Sequence, residues 1–268
     1  RQDGVALTVQ REAAASDGEI ACEFISSRGQ IHSDLRAGIA LAQALPLTAN
    51  TGLAFTGMYP LGQGFVLLPD QVEAAIGTDE NARQVVRPYV IARDLTQRSR
   101  RAQVVDFYPR DLETARRDFP NLYQWVLHRV KPERDQNPVD ERRRNWWLFT
   151  RPVPPLRRGI ASLARYLVVP RTAKWFSFQF VDSNTIPDTS VVAIATDDAL
   201  YLSLLSSAPH LAWAVAAGGT LEDRPRYQHQ RTFNPFPFPD LTISARDHLR
   251  PLGEQLDAHR KRQQAAHP

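Results

Sequence analysis

The chain has 268 residues and a formal net charge of +4, which is long enough for one large domain or two modest ones. No apolar run approaches the roughly 18 residues of a membrane span, so the sequence predicts no transmembrane helix. The single cysteine, Cys22, excludes an internal disulfide framework and a multi-cysteine metal site, and it fits a reducing compartment.

The basic residues are almost all arginine. Lysine occurs only at positions 131, 174 and 261, so 30 of the 33 basic residues are arginine. The planar guanidinium suits phosphate groups and guanine edges, so the composition permits nucleic-acid binding. A coding bias towards arginine would give the same count, and the argument therefore depends on where the arginines cluster.

The first third of the chain predicts short strands and turns. The runs "GVALTV" and "IACEFI" predict a hairpin within residues 1–31. The chain starts without a methionine or a signal-peptide pattern, which indicates the middle of a longer polypeptide. Asp70 and Glu73 are spaced as a capping box and predict the start of a short helix.

The middle of the chain combines apolar and basic segments. Two apolar runs flank a basic turn at residues 98–101 and predict paired strands. The stretch "DLETARRDFPNLYQWVLHRVKPERD" predicts a helix, with Pro120 tolerated in a first turn. The runs "YLVVPRTAKWFSFQFVD" and "SVVAIAT" predict strands of a buried sheet.

The last third of the chain predicts helices. The pair Asp197-Asp198 predicts the cap of a helix that Pro209 partly breaks, and Ser244 predicts the cap of a long polar helix. Pro251 predicts a kink or a restart within that helix. The mixture lacks regular βαβ alternation, so it predicts an α+β fold with a curved mixed β-sheet, flanking helices and a C-terminal helix.

No pattern predicts catalysis by this chain. The seven histidines are scattered, and no H-E-x-x-H motif, phosphate-binding glycine loop or G-x-S-x-G elbow is present. We therefore expect no catalytic residue and no metal ligand here.

Ordered blocks along nearly the whole chain carry a family resemblance. They include "GLAFTGMYPLGQGFVLLP", "VVRPYVIARDL", "NWWLF", "ARYLVVPRTAKWFSF" and "LSSAPHLAWAVAAGGTLEDRPRYQHQRTFNPFPFP". Together they resemble the C-terminal part of MmeI-like (type IIL) adenine-specific DNA methyltransferase and restriction proteins. The resemblance implies trailing strands and a linker from a methylase domain at 1–45, a DNA target recognition domain at 46–240 and a helical segment at 241–268.

The resemblance implies a sequence-specific recognition module of an N6-adenine DNA methyltransferase, acting in restriction-modification or phage defence in a bacterial or archaeal cytoplasm. The family's N/D-P-P-Y/F tetrapeptide and its glycine-rich S-adenosylmethionine loop are absent. We therefore expect no cofactor in this chain, and we expect S-adenosylmethionine to bind the rest of the enzyme. The expected partners are double-stranded DNA and an upstream methyltransferase domain of the same polypeptide, and no membrane.

Base choice in this family depends on side chains just before the Arg-Tyr and Phe-Pro-x-Pro blocks, which here are Glu222, Arg224 and Arg226. Arginine donates to O6 and N7 of guanine, and glutamate accepts from N4 of cytosine. On an extended segment Glu222 and Arg224 would project from one face and address the two halves of one G·C pair. A surface salt bridge between them is the alternative. Pro225 departs from this pattern, since its fixed φ would shift Arg226 out of register.

The phenylalanines at 233, 236 and 238 are expected to anchor in a core, while the intervening prolines hold this support segment extended.

Phosphate contacts, which position a protein without specifying sequence, are expected from other basic residues. These candidates are Arg142, Arg143, Arg144, Arg157, Arg158, Arg171, Lys174 and Arg231.

Two further functions stay open from the residues alone. A protein-interaction or scaffolding module of a defence complex would turn its basic surface to an acidic partner. A single-stranded nucleic-acid binding module would use Trp146 and Trp147 as stacking faces, although paired tryptophans are more often core residues.

Overall fold

The computed structural model describes residues 3–13, 20–30, 41, 44–79 and 81–266. The chain divides into two compact units, Arg1–Ala44 and Leu45–Pro268. In the first unit, strands β1 (Asp3–Ala13) and β2 (Ile20–Gln30) pair antiparallel along their whole length, from Asp3 opposite Gln30 to Ala13 opposite Ile20. The predicted N-terminal hairpin is therefore confirmed.

The described part of the second unit contains ten short strands in two four-stranded sheets and one two-stranded ribbon. The strands are β3 (Ala54–Thr56), β4 (Val66–Leu67), β5 (Val86–Val90), β6 (Gln103–Val105), β7 (Arg165–Pro170), β8 (Gln179–Asp182), β9 (Ile186–Pro187), β10 (Val191–Ile194), β11 (Thr220–Leu221) and β12 (Arg224–Pro225).

The described part of this unit also contains eleven α-helices. They are α1 (Pro69–Ile76), α2 (Ala92–Thr96), α3 (Leu112–Asp118), α4 (Pro120–Arg129), α5 (Lys131–Asp135), α6 (Asp140–Arg144), α7 (Pro154–Ile160), α8 (Ala199–Leu205), α9 (Ala208–Gly218), α10 (His229–Thr232) and α11 (Ile243–Ala266).

The first sheet, in the order β3-β10-β7-β8, is antiparallel and covered on both faces. Successive strand residues point to opposite faces. Accordingly Tyr166 and Val168 of β7 belong to one hydrophobic core, while Leu167 and Val169 belong to the other. This double burial explains why the sequence of β7 is continuously apolar, and it confirms the predicted buried strands.

The second sheet has the order β4-β6-β5-β9, and only its β5–β9 pair is parallel. The strands predicted around the basic turn pair as expected, with Val86 opposite Val105. The segment between them is not a simple turn, because α2 lies within it, ahead of the basic residues 98–101. The mixture of open sheets and helices confirms the predicted α+β class.

Two predicted helix starts are wrong by two residues. Helix α1 begins at Pro69 rather than after Asp70, and the side chain of Gln71 accepts the Leu68 N–H at 3.0 Å. Helix α11 begins at Ile243, and Thr242 rather than Ser244 accepts a backbone N–H at its start. In both cases a neighbouring polar side chain accepts a backbone N–H at the start of the helix in place of the predicted cap.

The long helix predicted over residues 111–135 is divided into α3, α4 and α5. The first break lies at Phe119, and Pro120 begins α4 as predicted, because a proline lacks the N–H that an uninterrupted helix would use there. The predicted cap by Asp198 is confirmed, since its carboxylate accepts the Leu200 N–H at 2.9 Å. The predicted break near Pro209 is confirmed as well, between α8 and α9.

Helix α11 packs along α8 and β8 as part of the second compact unit. It runs through Pro251 without interruption. Asp257 is buried and accepts the Phe180 N–H at 2.9 Å, and Glu254 forms an ion pair with Arg165. Among the described residues, no single helix is long and apolar enough to cross a membrane; α8 and α9 reach that length only together, across a 65° bend.

Candidate nucleic-acid interface

A short hairpin at residues 219–226 carries the three predicted base-reading side chains. Leu221 of β11 lies opposite Arg224 of β12, so Glu222 and Asp223 form a two-residue turn. Glu222 has a φ of 56°, and a positive φ at the first turn position of such a hairpin favours glycine. Residues 221–224 are all exposed, so the hairpin presents a polar tip to solvent.

The extended segment predicted for Glu222 and Arg224 is therefore wrong. Glu222 lies in the turn and Arg224 in the returning strand, so the two-residue spacing does not place them on one face of a strand. The alternative of a Glu222–Arg224 salt bridge is not observed either. The nearest described carboxylate to Arg224 is that of Asp223, with Nε and Oδ1 3.9 Å apart.

Backbone pairing on both sides holds Arg226 in place. Its N–H donates to the carbonyl of Gly219 at 2.9 Å, and its other edge bridges to Thr172. A Cβ at Gly218 would overlap the Arg226 carbonyl oxygen, so the hairpin returns against the end of α9 only because that residue is glycine. Pro225 does not prevent this pairing, because the strand hydrogen bonds come from its neighbours.

Tyr227 anchors the hairpin in the second core. It is fully buried, its N–H donates to the Arg171 carbonyl at 2.8 Å, and its hydroxyl is 3.0 Å from Nε2 of His210. The rings of Phe176 and Phe178 pack edge-on against it, each with a centroid distance of 5.3 Å. Sequence reasoning missed this anchor, although an aromatic directly after Arg226 was the available signal.

Three arginines lie on neighbouring backbone segments that extend beyond the first sheet. Tyr59 exchanges two backbone hydrogen bonds with Arg151, Met58 bridges to Asp188, and the Arg171 N–H donates to the Ser190 carbonyl at 2.8 Å. Thr172 in turn bridges to Arg226, and these backbone contacts together form one continuous ribbon. We call residues 58–59, 151, 171–172, 187–190 and 226 the arginine ribbon.

The positive charges of the arginine ribbon repel one another, and this repulsion adds to burial in lowering the pKa of Arg171. Burial lowers the pKa of Arg171, and the guanidinium groups of Arg226 and Arg151 lower it further. Burial and the Arg171 charge likewise lower the pKa of His229. The three arginines form no ion pair with any described carboxylate, so an arriving polyanion would find them uncompensated.

Asp188 is the acidic group that acts on Arg171 in this cluster. Its carboxylate opposes the lowering of the Arg171 pKa. Its oxygens, however, accept from the Tyr89 hydroxyl at 3.1 Å and from the Ser190 N–H at 2.8 Å. These donors are neutral, so Asp188 keeps its charge, but one carboxylate against three guanidinium groups leaves the cluster with a positive excess.

The predicted phosphate contacts fall in several places. Arg171 belongs to the arginine ribbon, and Lys174 lies on the loop of residues 171–178 that follows β7. Arg231 is exposed on α10, directly after the hairpin, and Arg158 is exposed on α7.

The other predicted contacts lie on α6 and α7 and are partly engaged within the protein. Both Arg143 and Arg144 form ion pairs with Asp140, at 3.1 and 2.8 Å, and Arg142 is half-buried beside them. Arg157 pairs with the buried Asp106 at 2.6 Å and also donates to a backbone carbonyl. Of the eight predicted residues, Arg157 is the one with a short ion pair to a buried carboxylate.

A groove of about 690 Å³ separates the tip of the hairpin from the end of α2. Asp223 and Arg224 line it from the hairpin, and Lys174 and Trp175 line it from the 171–178 loop. Sequence reasoning missed Asp223 and Trp175, because only the packing of the hairpin against the 171–178 loop brings them to the same groove as Arg224.

The stacking faces proposed for Trp146 and Trp147 are absent. Trp146 is buried and packs edge-on against Tyr123, and Trp147 donates its Nε1–H to the Arg110 carbonyl at 3.1 Å. Trp146 is a core residue and Trp147 is half-buried against the same core, so neither ring is an exposed stacking face and the prediction of a single-strand stacking platform at this position is wrong.

The Phe-Pro support segment is confirmed as a core anchor. Phe233 and Phe236 are buried, and Phe238 packs against the same core. The buried Asn50 amide donates to three carbonyls of this segment, at 2.8 to 3.2 Å. The rings pack on His210 of α9, so the segment supports the helix from which the hairpin emerges.

No group of three or more His, Cys, Asp or Glu side chains that could hold a metal ion occurs among the described residues. The chemistry that the interface offers is hydrogen-bond donation and positive charge, with the carboxylates of Glu222 and Asp223 as exposed acceptors.

The α+β fold thus places an arginine ribbon beside an exposed polar hairpin, which combines the positive charge and the directed hydrogen-bond donors that recognition of a polyanion requires. The family model for "MmeI, target recognition domain" matches residues 42–240, so the chain belongs to this family.

One similar solved structure is that of the type IIL restriction-modification enzyme MmeI in complex with DNA. It superposes with a TM-score of 0.68 at 17% sequence identity, over 94% of this chain and 38% of that one. The chain thus spans less than half the length of this relative. No curated protein sequence matches the present chain.

Proposed function

We propose that this chain recognises a specific base sequence in double-stranded DNA on behalf of an N6-adenine DNA methyltransferase of a restriction-modification or phage-defence system. The observation that carries the proposal is the adjacency of the polar 219–226 hairpin to the arginine ribbon. Membership of the target recognition domain family supports it, and the fold shared with a DNA-bound enzyme is consistent with it.

Base reading is assigned to the hairpin. Arg224 is exposed beside the groove and can donate to guanine O6 and N7, and Glu222 at the turn can accept from cytosine N4. Arg226 is held by backbone pairing on both sides, so its main chain loses little freedom on binding. Because Glu222 lies in the turn and Arg224 in the returning strand, each side chain is assigned a base edge of its own.

Phosphate binding is assigned to the arginine ribbon and its surroundings. A phosphate placed between Arg151 and Arg171 would relieve the repulsion of their guanidinium groups and form charge-assisted hydrogen bonds. Lys174, Arg231 and Arg158 are exposed and extend this surface, with the α6 arginines as a further group. These contacts set the register of the hairpin on the duplex.

Catalysis is assigned to a methyltransferase domain elsewhere in the same polypeptide, where S-adenosylmethionine would bind. The chain spans 38% of the similar enzyme, which leaves room for such a domain in a protein of that length. The role of this chain is to hold the duplex in one register, so that a single adenine enters the catalytic site.

The test is selection of bound duplexes from a random-sequence pool, followed by titration of the preferred duplex at several salt concentrations. We expect affinity to fall steeply with salt, and Arg171→Ala to reduce the slope of log K against log salt by about 1 without changing the preferred sequence. Glu222→Lys combined with Arg224→Asp should instead change the preferred base pair.

Arg116→Ala is the matched control, because Arg116 is exposed on α3 and lies outside the hairpin and the arginine ribbon. It should alter neither the slope nor the sequence. Absence of duplex affinity at every salt concentration would refute the proposal and favour an acidic protein partner.

A further inference from the structure

Trp175 is an apolar side chain that the fold leaves in solvent. All five tryptophans lie within the described residues, and Trp175, at 75% relative exposure, is the only one of them that is exposed. A tryptophan ring carries one of the largest apolar surfaces of any side chain, and leaving it in water forgoes the corresponding burial. An exposed tryptophan therefore requires an explanation that core packing does not supply.

The backbone around Trp175 is anchored on both sides. Phe176 and Phe178 are buried and pack on Tyr227, and the residue at position 172 bridges to Arg226. The 171–178 loop is therefore tied to the same core residue that anchors the base-reading hairpin. Trp175 is exposed while the next residue, Phe176, is buried, so this anchored segment leaves the indole ring in solvent.

The groove beside the hairpin brings Trp175 next to Arg224. Both residues line the 690 Å³ groove together with Lys174, whose ammonium lies 5.6 Å from the centre of the indole ring. A duplex that presents a guanine edge to Arg224 would therefore lie against the ring. The ammonium beside the ring would face the phosphates of the same duplex.

The chemistry of the major groove limits what an apolar ring can recognise there. Arginine reads guanine from the major groove, and the only apolar group that base pairs expose on that side is the 5-methyl of thymine. Aromatic wedges that enter between base steps do so from the minor groove, on the opposite side of the duplex. Resting on the proposed function, we propose that Trp175 is a further specificity-determining residue, whose ring packs on the methyl group of a thymine beside the base pair that Arg224 reads.

The experiment uses the full chain and its selected duplex, with each thymine replaced in turn by deoxyuridine, which lacks only the methyl group. Arg224→Ala identifies the base pair that Arg224 reads, because this variant loses the preference there. In the wild type, replacing a thymine adjacent to that pair should lower affinity roughly four-fold. Trp175→Ala should bind the thymine and uracil duplexes equally, and Trp175→Phe should retain the difference. Because the ring is exposed, these variants should keep the fold, which circular dichroism verifies.

Failure of this inference and failure of the proposed function give different results. If the wild type selects a sequence but Trp175→Ala responds to uracil as the wild type does, or no adjacent thymine matters, the role of Trp175 is refuted and sequence recognition stands. If Trp175→Ala weakens all duplexes equally while the wild type ignores the methyl group, the methyl contact is likewise refuted. A wild type that selects no sequence refutes both.

Discussion

Glu222 holds a backbone conformation that glycine adopts without steric cost. Its φ of 56° lies in the left-handed region, where an ordinary side chain costs roughly 1–2 kcal/mol. The residue is exposed at the tip of the hairpin, so no packing interaction in the described core offsets this cost. Strain at an exposed polar position is typical of a residue retained for binding rather than for stability.

At the residue scale, we therefore expect Glu222→Gly to raise the free energy of unfolding by about 1 kcal/mol, because it removes the strain of a positive φ. The same substitution should weaken the preference for one base pair, because it removes the carboxylate acceptor. Chemical denaturation and duplex selection measure the two effects. Asp223→Gly is the control: its φ is not positive, so it should lower stability instead.

The 219–226 hairpin depends on a close approach between two elements. The last residue of α9, Gly218, packs directly against the Arg226 carbonyl. The Gln228 side chain donates to the Gly218 carbonyl at 3.0 Å. Tyr227 then enters the core between Phe176 and Phe178. The position of Arg226 is thus determined by the end of α9 and by the 171–178 loop, rather than by the hairpin alone.

At the element scale, Gly218→Ala should separate the hairpin from α9. A helical Gly→Ala change normally stabilises by up to about 1 kcal/mol. Here the new methyl group would overlap the backbone of Arg226, and we expect a loss of roughly 1–3 kcal/mol together with weaker duplex binding. Thermal unfolding and DNA titration test this.

The control for this change is Ala212→Gly, which alters an exposed position of the same helix. It should reduce stability by helix propensity alone and leave duplex affinity unchanged. A stabilised Gly218→Ala variant with normal affinity would show that the close approach has no functional role.

The second unit contains a histidine that is buried without a charged partner among the described residues. Burial lowers the pKa of His210 to about 4, and its ring contacts Tyr227, Phe178 and Phe236. Unfolding would return the imidazole to its ordinary value near 6.5. The unfolded chain therefore binds protons more readily than the folded chain between these two values, and acid favours unfolding.

At the scale of the whole molecule, we expect the free energy of unfolding to fall by up to about 3 kcal/mol as the pH falls from about 6.5 to about 4. Denaturant titrations across this range measure the loss. His210→Gln should be less stable at neutral pH but should lose much of the pH dependence. His229, whose pKa is also lowered, should account for a smaller part.

Carboxylates contribute in a separate pH window. The hydrogen bond from Arg165 lowers the pKa of Glu254, so its contribution is present above the ordinary glutamate value and is lost only as the pH falls below about 4.5. Wild-type stability that stays constant between pH 6.5 and 4.5 would contradict the assignment to His210.

The sequence by itself determined the features that depend on neighbouring residues. The apolar runs of β7 and β10 predicted buried strands, Asp198 predicted a helix cap, and Phe233 and Phe236 predicted an anchored segment. Periodicity, capping and proline chemistry act over a few residues, so they can be read from the chain directly. The α+β class follows from the same local patterns.

Only the tertiary structure decided how the candidate interface is built. The arginine ribbon joins Arg151 to Tyr59 and Thr172 to Arg226, and Trp175 shares a groove with Arg224, although these partners are distant in sequence. The turn at Glu222 likewise depends on the hairpin pairing back against Gly219 and α9. Such contacts arise from packing between remote segments, and no local pattern encodes which remote segment a strand will meet.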